Sequence, residues 1–185
     1  MTTQNMPVLA LRGLTAFPGQ TLSFDAEREI SILALENAME GDRELLLVTQ
    51  REIGVQDPQE EDLYEIGTVC RIFQIVKTSD TGVRVIAGGL HRAALRRLWQ
   101  TKPFLQANVE LLEEDFPGRM TPRMEAMIRQ TYVLFDEYKE LVPNLNDEFV
   151  AAVLDCRDPG RLADFIAQNI NLRHNARQRV LEELN

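Results

Sequence analysis

The chain has 185 residues, 44% of them hydrophobic, and sets 29 Asp and Glu against 20 Lys and Arg, for a net charge of −9. Nucleic-acid affinity comes mainly from cations that displace phosphate counterions, so this balance argues against non-specific nucleic-acid binding. Cys70 and Cys156 make neither a metal-ligand spacing nor a disulfide framework, no apolar run approaches the roughly 20 residues of a membrane span, and "MTTQNMPVLALRGL" lacks a basic leader, so a cytoplasmic protein without membrane contact is expected.

In chain order the first half reads as short apolar runs between turn signals. "PVLAL" and "TLSF" come first, and "REISILALENAME" then places Ile30, Leu33, Ala34 and Ala38 at helical spacing before stopping at Gly41. "ELLLV", "GTVCRIFQIVK", "VRVIAG", "AALRRLW" and "FLQANVELL" follow. "KTSDTGVR" predicts a hairpin in which Gly82 supplies a positive φ. In "VRVIAGGLHRAALRRLW" the pair Gly88 and Gly89 predicts the end or a bulge of one strand, with Arg92, Arg96 and Arg97 standing in water on the next. Six or seven short strands around one helix predict a small closed barrel.

"EEDFPGRMTP" interrupts this pattern with two prolines and a glycine, and it predicts a boundary between residues 1–116 and 117–185. Beyond it every segment is helical. Met124, Met127, Ile128, Leu134, Phe135, Tyr138, Leu141 and Val142 recur at three- and four-residue steps, up to Pro143. A second helix is expected from near Asn146 through "FVAAVL". A third opens with Asp158 as N-cap and Pro159 at its first position, with Leu162, Phe165, Ile166 and Ile170 as its core face. "NARQRVLEELN" is amphipathic and reaches the last residue without a capping Gly or Pro, so a continuing chain is expected. The fold class is therefore α+β, a small β-barrel with one helix followed by a helical bundle.

The sequence assembles no recognisable catalytic set. There is no G-x-x-x-x-G-K-[ST] to cradle phosphates, and Ser23, Ser31 and Ser79 lie in no nucleophile elbow. The two histidines, His91 and His174, form no metal motif, and "DPQEEDLYE" lacks the glycine and ligand spacing of an EF-hand. No cofactor or metal is expected in this chain.

Taken together, "PVLALRGLTAFPG", "REISILALENAM", "LLLVTQRE", "DLYEIGTVCRIFQI", "TGVRVIAGGLHRA" and "DPGRLADFIAQNI" resemble, in this order, the N-terminal domain of the ATP-dependent Lon protease family. The resemblance implies a PUA-like β-barrel with one helix, then a helical bundle. It further implies a parent that continues into an AAA+ ATPase using ATP and magnesium and a Ser-Lys protease, modules absent here, so the fragment itself would be no enzyme. It makes the glycine before the basic residue in "VRVIAGGLHRA" a turn position. The implied function is recognition of unfolded or degron-bearing proteins, with self-association as a hexamer in the full-length protein. Such capture needs accessible apolar surface, for which "LTAFPGQTL" offers Phe17, Pro18 and Leu22; alternatively Phe17 plugs the end of the barrel. A free-standing adaptor and an RNA-binding PUA-like module are the alternative functions. The 11 basic and 18 acidic residues up to Phe116 oppose the RNA reading.

Overall fold

The structure, a computed structural model, describes residues 3–113, 120–142 and 144–184. The expected boundary at residues 116 and 117, and Pro143, lie outside the described residues. The chain folds as two compact units, Met1–Glu113 with Leu172–Leu184, and Glu114–Asn171.

The first unit is built on six strands, β1 (Thr3–Leu11), β2 (Thr21–Ala26), β3 (Glu44–Thr49), β4 (Ile66–Lys77), β5 (Val83–Gln100) and β6 (Leu105–Leu111), with helix α1 (Glu29–Glu40) between β2 and β3. The strand order is β2-β5-β4-β3-β1-β6, and β6 also pairs with β5, so the ladder β5-β4-β3-β1-β6 returns to its start. β1 and β3 run parallel, Val8 opposite Leu46 and Leu11 opposite Thr49. A parallel pair requires a crossover, and the β2–α1 segment provides it. Alternate side chains of these two strands feed two separate clusters. Leu9, Leu11, Leu45 and Leu47 meet Leu35 and Ala38 of α1, while Met6, Val8, Ala10, Leu46 and Val48 meet Leu105, Ala107 and Val109 of β6. Burial on both faces is why the run Leu45–Val48 is apolar throughout and does not alternate.

One local expectation is narrowed and two are corrected. Of the strand end or bulge expected at Gly88 and Gly89, the bulge is found and the end is not. β5 continues unbroken through them, pairing with β2 and β4 in its first half and β6 in its second, with a register shift against β4 between Val69 and Cys70 that leaves Leu90 extra. Gly82 is not left-handed; among the described glycines positive φ occurs at Gly13 and Gly19, and Arg43 is the non-glycine residue that shares it. The hairpin closes instead by Thr78 and Ser79 N–H groups donating to the Gly82 carbonyl at 3.0 and 3.2 Å. Arg92, finally, is buried at 4% exposure, not solvated.

Helix α5 (His174–Glu182) completes this unit. Leu181 is buried, Gln178 Nε2 donates to the Ile66 carbonyl at 2.9 Å, and Arg92 Nε donates to the Leu181 carbonyl at 2.9 Å. A guanidinium at the last turn of a helix meets its unpaired carbonyls and the negative end of its dipole. The helix ends at Glu182, before the last residue.

The second unit holds α2 (Pro122–Leu141), α3 (Asp147–Asp155) and α4 (Pro159–Asn169). Their starts follow the sequence signals. Thr121 Oγ1 accepts from Met124 N, Asn146 Oδ1 from Glu148 N and Asp158 Oδ1 from Arg161 N, each satisfying an otherwise orphaned N–H. Phe135, Phe149, Val153 and Leu162 form its core, with Phe135 and Phe149 edge to face at 5.5 Å.

Candidate functional site

Of the expected patch, Leu22 lies in β2, and Phe17 and Pro18 are carried by the segment Arg12–Gln20. Gly13 and Gly19, with φ of 66° and 72°, reverse it at both ends. Side-chain hydroxyls then staple it down: Thr49 Oγ1 donates to the Leu14 carbonyl at 2.9 Å and Thr68 Oγ1 to the Ala16 carbonyl at 2.7 Å. The loop meets β5 at Gly89. Gly19 N donates to Gly89 O at 3.0 Å, and Gly89 N donates to Gln20 O at 2.8 Å. A Cβ on Gly89 would lie 2.0 Å from the Phe17 carbonyl oxygen, so the second glycine of the pair exists to let the loop backbone touch the strand.

This geometry buries two of the three residues of the expected patch and favours the alternative of an inward Phe17. Phe17 is 0% exposed and Leu22 5%; only Pro18, half-buried, reaches the surface. The stapled loop turns Phe17 inward, and strand alternation in β2 turns Leu22 toward the core. Gly88 has a different neighbour. A Cβ there would meet the Phe73 ring at 2.5 Å, so glycine leaves room for that ring to lie over β5.

Apolar surface is found elsewhere. On the sheet unit Ile53, Phe73, Val76 and Trp99 stand exposed, Phe73 at 55%, and on the helical unit Met127, Val133, Leu134, Leu141 and Leu154 do so. Sequence reasoning passed over Phe73 and Val76, although a signal was present. "IFQIVK" places apolar residues at Ile72, Phe73, Ile75 and Val76, more than a strand can bury on one face.

A groove of about 730 Å³ opens beside α1, lined by Ile30, Leu33, Pro58 and Pro103 together with Arg28, Glu29, Asp57 and Lys102. The loop on its flank is pinned by cations and an amide. Arg12 donates to Val55 O and Gln56 Oε1, Arg28 to Gln56 O, Gln50 Oε1 and Ala10 O, and the fully buried Gln50 to Val55 O. Burial holds the Arg28 pKa below its usual value, helped by the Arg12 charge and opposed by Asp57. With donors already committed to the fold, Arg28 works as a structural cation. Nearby, Arg51 stacks over the Tyr64 ring at 4.7 Å, and Arg96 bridges Glu65 and Glu110, both at 2.6 Å. Among the described residues no three His, Cys, Asp or Glu side chains converge to hold a metal ion, and no helix is long and apolar enough to cross a membrane.

Known proteins match this chain along nearly its whole length. The Lon protease of Syntrophomonas wolfei subsp. wolfei is 38% identical over 181 residues and that of Brevibacillus choshinensis 36% over 182, each match covering 98% of this chain. The chain spans only 22% and 23% of those relatives' own length. The fold resembles the N-terminal domain of Mycobacterium avium complex Lon protease, with a TM-score of 0.77 at 18% identity over 98% of this chain and 91% of that one. A likeness to the Lon N-terminal domain protein from Xanthomonas campestris is weaker, with a TM-score of 0.53 at 16% identity over 91% and 99% of the two chains. A mixed sheet-and-helix fold, matched from residue 5 to residue 185 by the family model for the ATP-dependent protease La (LON) substrate-binding domain and along nearly its whole length by Lon proteases, places this chain in that family.

Proposed function

We propose that this chain captures unfolded or degron-bearing proteins for a cytoplasmic, hexameric Lon-type protease, through apolar side chains on the surface of its sheet unit. In this reading the closed strand circuit is a small PUA-like β-barrel, α2 to α4 are a helical bundle set into the chain between β6 and α5, and neither part is catalytic. The sequence has no phosphate-cradling loop and the described residues offer no converging ligand set, so this reading assigns ATP and magnesium to other parts of a parent protein.

The observation that carries the reading is the exposure of Phe73 and Val76, at 55% and 42%, on one strand of a domain of this family. Unfolded chains display the apolar side chains that folded ones hide, so accessible apolar surface discriminates between them. Burying one such side chain is worth about 1.5–3 kcal/mol, and ordering the captured segment offsets much of it. A single domain should therefore bind with an affinity no better than micromolar, and a ring of copies would raise the avidity.

The chain's single tryptophan, Trp99, supports a direct titration with a tryptophan-free unfolded protein. Phe73→Ser should weaken capture about fivefold while leaving the melting temperature within about 2 °C. Equal binding by wild type and variant would place the surface elsewhere, and no binding by either would overturn the reading.

A further inference from the structure

The two sides of β4 are not equally covered. β3 pairs with it only from Thr68 to Arg71, and the Ile72 N–H still donates to the Arg43 carbonyl at 2.8 Å. From Phe73 to Lys77 the described residues offer β5 as the only partner strand. The hairpin register fixes which groups are left over. Thr78 N donates to Gly82 O at 3.0 Å and Val76 lies opposite Arg84, so by alternation Val76 bonds toward β5 while Ile75 and Lys77 turn their N–H and C=O groups to the open side. Open edges are usually blunted by bulges and charge. This one has a bulge between Ile72 and Gln74 and a terminal Lys77, yet it displays Phe73 and Val76.

We propose that the Phe73–Lys77 edge of β4 receives an extended segment of an unfolded polypeptide as an added strand. Its main chain bonds to Ile75 and Lys77, and its side chains cover Phe73 and Val76. The proposal rests on the capture reading above and specifies its substrate class as chain able to adopt the β conformation with its own main-chain groups free. Folded proteins have those groups paired, so a main-chain edge selects for unfolding without demanding a sequence. Charge narrows the occupant further. The sheet unit carries 14 basic and 18 acidic residues, an acidic excess that outweighs the single cation Lys77 on the edge, so apolar segments with neutral or basic flanks are favoured over acidic ones. A second copy is disfavoured, because each chain carries a net charge of −9.

The test uses the full 185-residue chain and a short labelled peptide alternating Val with Thr and Lys, beside the same peptide N-methylated at every second residue. Methylation removes the donors of one peptide edge and keeps every side chain. The unmodified peptide should bind about tenfold or more tightly than the methylated one, and should slow amide exchange at Ile75 and Lys77. Equal affinity for the two peptides, with Phe73→Ser still weakening both, would overturn strand addition and leave the capture reading standing. Protection at Thr21–Ala26 in place of β4 would overturn the assignment of the edge. Concentration-dependent self-association that protects Ile75 and Lys77 without peptide would make a second copy the occupant and overturn the proposal. Failure of the wild type to bind either peptide or a carboxymethylated unfolded protein would overturn both.

Discussion

Gly89→Ala should be far more damaging than Gly88→Ala, although the two glycines are adjacent on the same strand. An added Cβ at Gly89 meets the Phe17 carbonyl oxygen at 2.0 Å, its carbonyl carbon at 2.9 Å and Thr68 Cγ2 at 3.2 Å, where ordinary contact begins near 3.4 Å. The obstacle is backbone, so loop and strand must separate by more than about 1 Å. That strains three hydrogen bonds, Gly19 to Gly89, Gly89 to Gln20 and Thr68 to Ala16, each with a net worth of about 1 kcal/mol. It also loosens the seat of Phe17, whose complete removal would cost about 3–5 kcal/mol. A total near 4 kcal/mol lowers the melting point of a chain this size by about 8–16 °C. At Gly88 the new Cβ meets only the distal ring atoms of half-exposed Phe73, which can swing into solvent, so the cost should stay within about 1 kcal/mol. Thermal unfolding followed by circular dichroism measures both. A fall of less than about 3 °C for Gly89→Ala, or equal falls for the two variants, would refute this account of the glycine pair.

Phe17→Ser should act on stability and not on capture alone. With the side chain fully buried the loss is about 3–5 kcal/mol, and an unchanged melting temperature would contradict its placement. Asp158→Ala removes the acceptor for Arg161 N and should cost about 1 kcal/mol in the helical unit, readable as faster amide exchange in α4. Burial raises the Cys70 thiol pKa to about 12, so alkylation near pH 8 should label half-exposed Cys156 and spare Cys70 until denaturant is added. The same shift gives a sign for alkaline stability. Above the ordinary thiol pKa the unfolded chain has lost a proton that the folded chain keeps, so the stabilisation present below about pH 9 is lost progressively as the pH climbs towards 12. A stability that rises with pH in that window would contradict it.

Much of the molecule was legible from residues alone, where the signal is local. Asp158 with Pro159, Asn146 before "FVAAVL" and the 3.6-residue apolar period announce the helices of the second half, because capping and periodicity act within a turn or two. Doubly buried β3 is legible in "ELLLV" for a similar reason, and six motifs in one order carried the family. What sequence could not settle are questions of which distant backbone comes close. Gly88 and Gly89 read as the end or a bulge of a strand, since glycine permits turns, close approaches and bulges alike; only the tertiary structure chooses the bulge and shows one glycine against Phe17 and the other under Phe73. Phe17 in "LTAFPG" reads either as an exposed loop residue or as a plug for the end of the barrel, and the choice waits on Thr49 and Thr68, more than 30 positions away, which staple the loop inward. Arg92 and Arg96 look alike in "HRAALRRLW". Arg92 is buried because α5, 89 residues further on, brings the Leu181 carbonyl to it, whereas Arg96 stays at the surface between Glu65 and Glu110. Composition and period fix which face of an element is apolar; whether that face is covered depends on contacts whose loop-closure entropy is met only by the cooperative fold.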